Sequence, residues 1–553
     1  MHSSRRNFIK RIGQSSVLLG AGTVIPGCSL VKQENKDEVQ NTLPDEPVLQ
    51  IGEDIAVVQT DKGKVKGFIM RGIETYLGIP YAADASGKNR FLPPQEHEAW
   101  EGIRPSVFYG NSAPQNIYSR AATSYGAFID HWNYDEISED CLSLNIWTKA
   151  AKSGRNKPVL LWLHGGGYSQ GNGIEQDGYH GENFTRYGDV VFCSLNHRLG
   201  AIGFSDFSAV DEKFKDSGNV GMLDILAALQ WIQKNIANFG GDPNNVTIMG
   251  QSGGGAKVCT LASMPAAKGL IHKGVALSGS ATHAIPKEYA RQLGLYILKE
   301  AGLQASGMST LQEMPWDEYL ALSKRAAEKL QRDKPEFGFR RGSFGPVADG
   351  HNLPAEGYFS SPQPDIPVLF CSTFHEWSPS RTEPSLENIT KEGVIEKLHP
   401  NYGDASTKIY EGYDAAFPGL KPIELWAMIV SNRKAVVEAA NLKKKQGSPV
   451  YMAWFGWCPP LFDGRMRAFH CLDISFWLLN TDLMITHSGG GAKPRALSNK
   501  MAEALLQFMK TGNPACKSLP DWPEYTADKG SLMILNDTCK VADDPDRKAR
   551  LML

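Results

Sequence analysis

Ser252 stands at the centre of Gly250-Gln251-Ser252-Gly253-Gly254, the G-x-S-x-G spacing that lifts a serine hydroxyl out of a sharp turn. A serine so placed can attack an acyl carbonyl. It then needs an imidazole to take its proton, a carboxylate to orient that imidazole, and N–H groups aimed at the oxyanion that forms. The spacing alone is weakly selective, because glycine fills 55 of 553 positions and a second copy occurs at Gly167-Tyr168-Ser169-Gln170-Gly171. Context separates the two. Val246-Thr247-Ile248-Met249 reads as a short buried strand running into the first copy, and the small, apolar stretch Gly255 to Met264 opens a helix after it. The second copy also follows an apolar run, Pro158 to Leu163, but leads into the turn-forming Asn172 to Gly178. Ser252 is the candidate nucleophile.

The elements that must position this chemistry follow from the hydrophobic pattern. Pro158 to Leu163 and Val190 to Leu195 are continuous apolar runs, as expected of strands covered on both faces. Between Met222 and Ile236 the apolar residues recur at helical spacing. Further strands are expected at Glu74 to Ile79, Leu142 to Trp147, Lys273 to Leu277, Pro367 to Cys371 and Val450 to Trp457, the last of these closing the core. Near the N-terminus, Ala56 to Thr60 and Lys64 to Ile69 flank Asp61-Lys62-Gly63 and predict an antiparallel hairpin. This order is that of an α/β protein with a large, mainly parallel central sheet.

In such a sheet the reacting groups sit on loops at the carboxyl ends of the strands. His470 meets that condition better than His272 or His283, while His487, which also follows an apolar run, stays open as the base. Glu376 lies just past the strand Pro367 to Cys371, whereas Asp365 precedes it; the adjacent His375 is expected to be a bystander. His164-Gly165-Gly166-Gly167 follows another strand and exposes backbone N–H groups that could hold an oxyanion. Aromatic residues near these loops, Tyr168, Phe374 and Trp377, suggest an apolar pocket. The cysteines lack the paired spacing of a zinc site, and neither metal nor organic cofactor is implied.

Ser4-Arg5-Arg6-Asn7-Phe8-Ile9-Lys10 is a twin-arginine pattern, followed by a weakly apolar segment that ends Val24-Ile25-Pro26-Gly27-Cys28. That ending resembles a bacterial lipobox. Residues 1–28 are expected to be an export signal with Cys28 as a lipidation site, and 29–50 a polar tether. The remainder, 51–553, is expected to form one catalytic domain outside the cytoplasm, periplasmic or tethered to a membrane through Cys28. A net charge of −2 with no basic run in this part argues against nucleic acid as a partner.

Beyond these residues, the chain resembles the type-B carboxylesterase family, the cholinesterase-like branch of the α/β-hydrolases. The resemblance is carried by Glu139-Asp140-Cys141-Leu142-Ser143-Leu144-Asn145-Ile146, Asn196-His197-Arg198-Leu199-Gly200, Gly218 to Asn235, Phe239-Gly240-Gly241-Asp242-Pro243 and Thr511-Gly512-Asn513-Pro514. It implies an α/β-hydrolase fold, small-molecule ester substrates and a deep, gorge-like pocket. Position by position it implies a Ser252–Glu376–His470 triad and an oxyanion hole of Gly166, Gly167 and Gly253. Three departures stand out. Gln251 and Gly253 replace the family's usual Glu and Ala, His197 replaces a usual Tyr, and Ala113 stands where many relatives have a cysteine that pairs with the one matching Cys141. The same machinery would serve an amide or lactone hydrolase, and some relatives are non-catalytic binding proteins.

Overall fold

A computed structural model describes residues 47–116, 133, 136–151, 154, 156–337, 344–431 and 433–553. The twin-arginine segment, Cys28 and the tether up to residue 46 lie outside the described residues. Twelve strands form the large sheet: β1 Leu49–Gln50, β2 Phe68–Met70, β3 Ile73–Pro80, β4 Ser143–Thr148, β5 Lys157–Leu163, β6 Val191–Leu195, β7 Gly241–Gln251, β8 Lys273–Leu277, β9 Val368–Thr373, β10 Val450–Phe455, β11 Ser531–Leu535 and β12 Lys540–Asp543. Their spatial order is β1-β2-β3-β4-β6-β5-β7-β8-β9-β10-β11-β12. All pairings from β6 through β11 are parallel, and those of the first four strands and of β12 are antiparallel. This is the α/β-hydrolase architecture expected of the chain. The first strand falls inside the stretch read as tether.

Side chains of successive strand residues point to opposite faces, so a strand buried on both sides must be apolar throughout. In β5, Val159, Leu161 and Leu163 enter one core while Leu160 and Trp162 enter the other. The first core is closed by α1 (Val220–Asn235), α2 (Gly253–Leu261) and α3 (Arg433–Lys444), through Ile225, Leu229, Val258 and Val436. The second is closed by α4 (Ala492–Thr511), through Leu497, Met501 and Leu505. Each fully buried aliphatic side chain of this kind stabilises the fold by roughly 1.5–3 kcal/mol.

Two expectations are corrected. The hairpin exists, with Val57 opposite Lys66 and Gln59 opposite Lys64, but its second strand stops at Lys66. A side chain at Gly67 would lie 2.1 Å from the Thr75 carbonyl. The chain crosses there from a small three-stranded sheet into the large one, where Phe68–Met70 pair with β3. The core also does not end at β10, because Ser531–Leu535 adds a further parallel strand beside it. The eight cysteines from Cys141 onward are free thiols, and buried Ala113 leaves Cys141 no sulfur to pair with there.

Candidate active site

The parallel strands end in register. Leu163 of β5 lies opposite Gly250 of β7, Gln251 opposite Leu277 of β8, Leu277 opposite Cys371 of β9, and Thr373 opposite Phe455 of β10. Loops leaving these ends therefore meet at one edge of the sheet, and every residue proposed for chemistry leaves from it.

Ser252 joins β7 to α2 at φ 58° and ψ −120°, a conformation that a non-glycine residue holds only when its surroundings impose it. Its N–H donates to the Leu277 carbonyl at 2.8 Å, and its own carbonyl accepts the Ala256 N–H at 3.0 Å. The turn needs bare backbone behind it, since a Cβ at Gly254 would stand 2.0 Å from the Leu163 carbonyl oxygen. The Ser252 side chain is half-buried. Ser169, in contrast, is exposed, in a turn closed by its N–H on the Gly166 carbonyl.

Glu376 is fully buried past the end of β9. Its Oε1 accepts the Thr373 N–H at 2.9 Å, and its Oε2 lies 2.5 Å from His470 Nδ1. A carboxylate at that nitrogen selects the Nδ1–H tautomer and leaves Nε2 as the acceptor. Backbone bonds clamp the two loops together: the His470 N–H donates to the Glu376 carbonyl, and the His375 N–H to that of Ala468. His487 is buried edge-on against Phe469, and His272, just before β8 begins, accepts the Val246 N–H in the middle of β7. His283 bonds to the Thr282 hydroxyl, and Asp365 is held by Lys443 and the Ser448 N–H. None of these four takes the place of Glu376 or His470. Burial, with Arg467 adding to it, drives the His375 imidazole down to about 3, so it stays neutral.

Gln251 resolves the first departure. Its Nε2 lies 3.2 Å from His470 Nε2 and 3.4 Å from Nδ1. An atom in line with one ring lone pair would be far from the other nitrogen, so this near-equal spacing puts the amide against the ring and leaves the Nε2 lone pair open. The Gln251 Oε1 accepts the Cys471 thiol at 3.1 Å. The second change, Gly253, has a steric reason: a Cβ there would lie 2.4 Å from the Gly167 nitrogen and 2.5 Å from its Cα. The elbow and the glycine loop thus touch backbone to backbone. Gly166 and Gly167 sit at φ 78° and 64°, and the space where a Gly167 Cβ would point is empty.

Of the three aromatic residues, only Trp377 faces outward here. It is 54% exposed, and its ring stacks on His470 with centroids 4.5 Å apart. Phe374 packs on Trp454 in the core, and the Tyr168 hydroxyl bonds to Thr260. Two further residues escaped the sequence reading. Asp473, three positions after His470, is fully buried; burial, then the nearby Glu376 charge, push its carboxyl up to about 7, with His470 acting against them. Lys257, on the helix that Ser252 caps, is buried beneath the glycine loop. A lysine in an apolar helical stretch carries no local signal that its ammonium is bonded inside the protein.

Comparison with known proteins bears on what this arrangement does. The carboxylesterase family model matches residues 54–551. The chain is similar to the para-nitrobenzyl esterase of Bacillus subtilis (strain 168), 31% identical over 512 residues that make up 90% of this chain and 98% of that protein. It is also similar to the phenmedipham hydrolase of Pseudarthrobacter oxydans, 29% identical over 87% of this chain and 95% of that one. Among solved structures, a carboxylesterase of Geobacillus stearothermophilus superposes with a TM-score of 0.72 at 30% identity, covering 90% of this chain and 99% of its own. An esterase from anaerobic Clostridium hathewayi, which can hydrolyze aliphatic aromatic polyesters, gives 0.75 at 30% identity, covering 90% and 98%.

Proposed function

This chain belongs to the carboxylesterase family and is a carboxylic ester hydrolase, and from that premise we propose that it works through a Ser252–His470–Glu376 triad and an acyl-enzyme. His470 Nε2 takes the Ser252 proton as the oxygen attacks the ester carbonyl, and Glu376 stabilises the imidazolium that results. The N–H groups of Gly166, Gly167 and Gly253 receive the oxyanion, each worth on the order of 3 kcal/mol in the transition state. His470 then protonates the departing alcohol. A water molecule, deprotonated by the same nitrogen, attacks the acyl-enzyme and releases the acid.

The observation that carries this reading is the position of Gln251. The residue bonded directly to Ser252 lies 3.2 Å from Nε2 of the His470 ring, whose Nδ1 is held by Glu376. Ser252, Glu376 and His470 stand on three separate loops, and these two contacts support reading the loops as one site. Trp377, stacked on His470 and exposed, supplies a flat apolar surface at the mouth for part of the ester.

The test is intact-mass analysis after treatment with an organophosphonate that reacts with activated serines, followed by peptide mapping. A single adduct on Ser252 is expected. A folded protein that takes no adduct, or takes it on Ser169, would overturn the assignment. Export with lipidation at Cys28 is a separate proposal, supported by the twin-arginine and lipobox-like residues. Full-length Cys28→Ala protein is expected in the soluble fraction of an expressing cell; if it still sediments with membranes, the tether is not at Cys28.

A further inference from the structure

Behind the glycine loop lies a buried group of ionisable side chains that the triad does not use. Lys257 is wholly inaccessible, and its Nζ donates to the His164 carbonyl at 2.9 Å. The Tyr168 ring lies 5.8 Å from the same ammonium. His164 and His197 stack on each other 5.1 Å apart, both buried and both kept neutral by that burial. Across Gly171 from His164 is Glu175, whose oxygens accept the Tyr179 hydroxyl and the Asn172 N–H. Arg198, next to His197, is occupied by its own bidentate pair with Asp224. Apart from that pair, Lys257 and Glu175 supply the ammonium and the carboxyl of this group, and both are buried.

The bond to His164 matters because of where that carbonyl is. His164 is the last residue before Gly165-Gly166-Gly167. In a planar peptide the C=O and the following N–H point in opposite directions, so fixing the His164 oxygen toward α2 fixes the direction in which the glycine loop starts. Lys257 is itself on α2, the helix that Ser252 caps. One ammonium therefore ties the nucleophile's helix to the loop meant to hold the oxyanion, and sets a positive charge behind it in a region of low dielectric.

We propose that Lys257 is a positioning residue for ester hydrolysis, holding the glycine loop through the His164 carbonyl and supporting the oxyanion with its charge. The inference rests on the triad reading above. Burial lowers the Lys257 ammonium to about 7, with Glu175 acting in the opposite direction. The charge is present in mildly acidic solution and is lost as the pH rises through that value. The support it gives to the oxyanion is lost with it.

The test compares wild type with Lys257→Met and Lys257→Arg, measuring kcat and KM for a soluble aryl ester from mildly acidic to alkaline pH. Methionine keeps the bulk of the stem without the charge, and arginine keeps a charge at every pH used. In mildly acidic solution Lys257→Met is expected to lose about 10- to 100-fold in kcat with little change in KM. The ratio of wild type to Lys257→Met should then shrink as the pH is raised. Equal activity, or a loss of the same size at every pH, would overturn the proposal, the second outcome meaning that only packing was disturbed. Should Lys257→Met fail to fold, Lys257→Arg decides: its activity relative to wild type must climb with pH, and a flat ratio overturns the idea. Phosphonate labelling of the wild type keeps the two questions apart. No adduct on Ser252 brings down the triad and this inference together, whereas a flat ratio with labelling intact brings down this inference alone.

Discussion

Replacing Ser252 by alanine is expected to lower kcat for ester hydrolysis by about a million-fold while leaving the fold intact. The hydroxyl makes no hydrogen bond among the described residues and is half-buried, so its removal leaves no buried partner unsatisfied. Alanine meets the same steric cost as serine at φ 58°, so the strain of the turn is unchanged. Thermal unfolding should move by no more than roughly 0.5 kcal/mol in stability. Some acceleration over water, about 10³-fold, should remain from substrate binding and the oxyanion donors. Ester turnover and calorimetry on the same preparation check both halves. A variant that keeps wild-type turnover would remove Ser252 from the mechanism.

The second large effect is expected at Glu376. Glu376→Gln should reduce kcat by about 10⁴-fold with little change in KM, although it adds or removes no bulk. The Thr373 N–H bonds to Oε1, so the glutamine carbonyl will take that side and its NH₂ will face His470 Nδ1. An NH₂ cannot accept a proton from Nδ1–H. The imidazole is then driven to the tautomer with hydrogen on Nε2, which cannot receive the serine proton. Steady-state kinetics give the size of the loss, and the imidazole nitrogen chemical shifts report the tautomer. Turnover within tenfold of wild type, or an unchanged tautomer, would mean that Glu376 does not orient the base.

Much of the frame is legible in the residues themselves. Val246 to Met249 and Pro158 to Leu163 are strand ends because continuous β-branched and aliphatic runs can be satisfied only between two layers of helix, and both lie inside buried β7 and β5. The strand–turn–helix context of Ser252, and its absence around Ser169, are local properties of a dozen residues. Breaks that depend on distant backbone were not legible. Lys64 to Ile69 reads as one strand, and what divides it is the Thr75 carbonyl pressed against Gly67. The last parallel strand, Ser531–Leu535, is short and follows a long helix and a loop, and only its pairing with β10 gives it a place in the core.

The site divides in the same way. Residue types and spacing by themselves determined that a serine on an elbow, a glycine run after a neighbouring strand, and loop carboxylates and histidines were available at strand ends. Which histidine meets which carboxylate was left open between His470 and His487. The tertiary structure decided that, by the backbone bonds that join the Glu376 and His470 loops and by burying His487 against Phe469. It alone decided that Gln251 lies against the His470 ring, that Gly253 is small because Gly167 leaves no room for a Cβ, and that Trp377 rather than Phe374 faces outward. The reason is physical. Backbone preference and hydrophobic periodicity act over a few residues and leave their mark in the chain. The partner of a buried amide, carboxylate or ammonium is chosen by whichever polar group the packed sheet brings within 3 Å, and that group stands anywhere in the sequence.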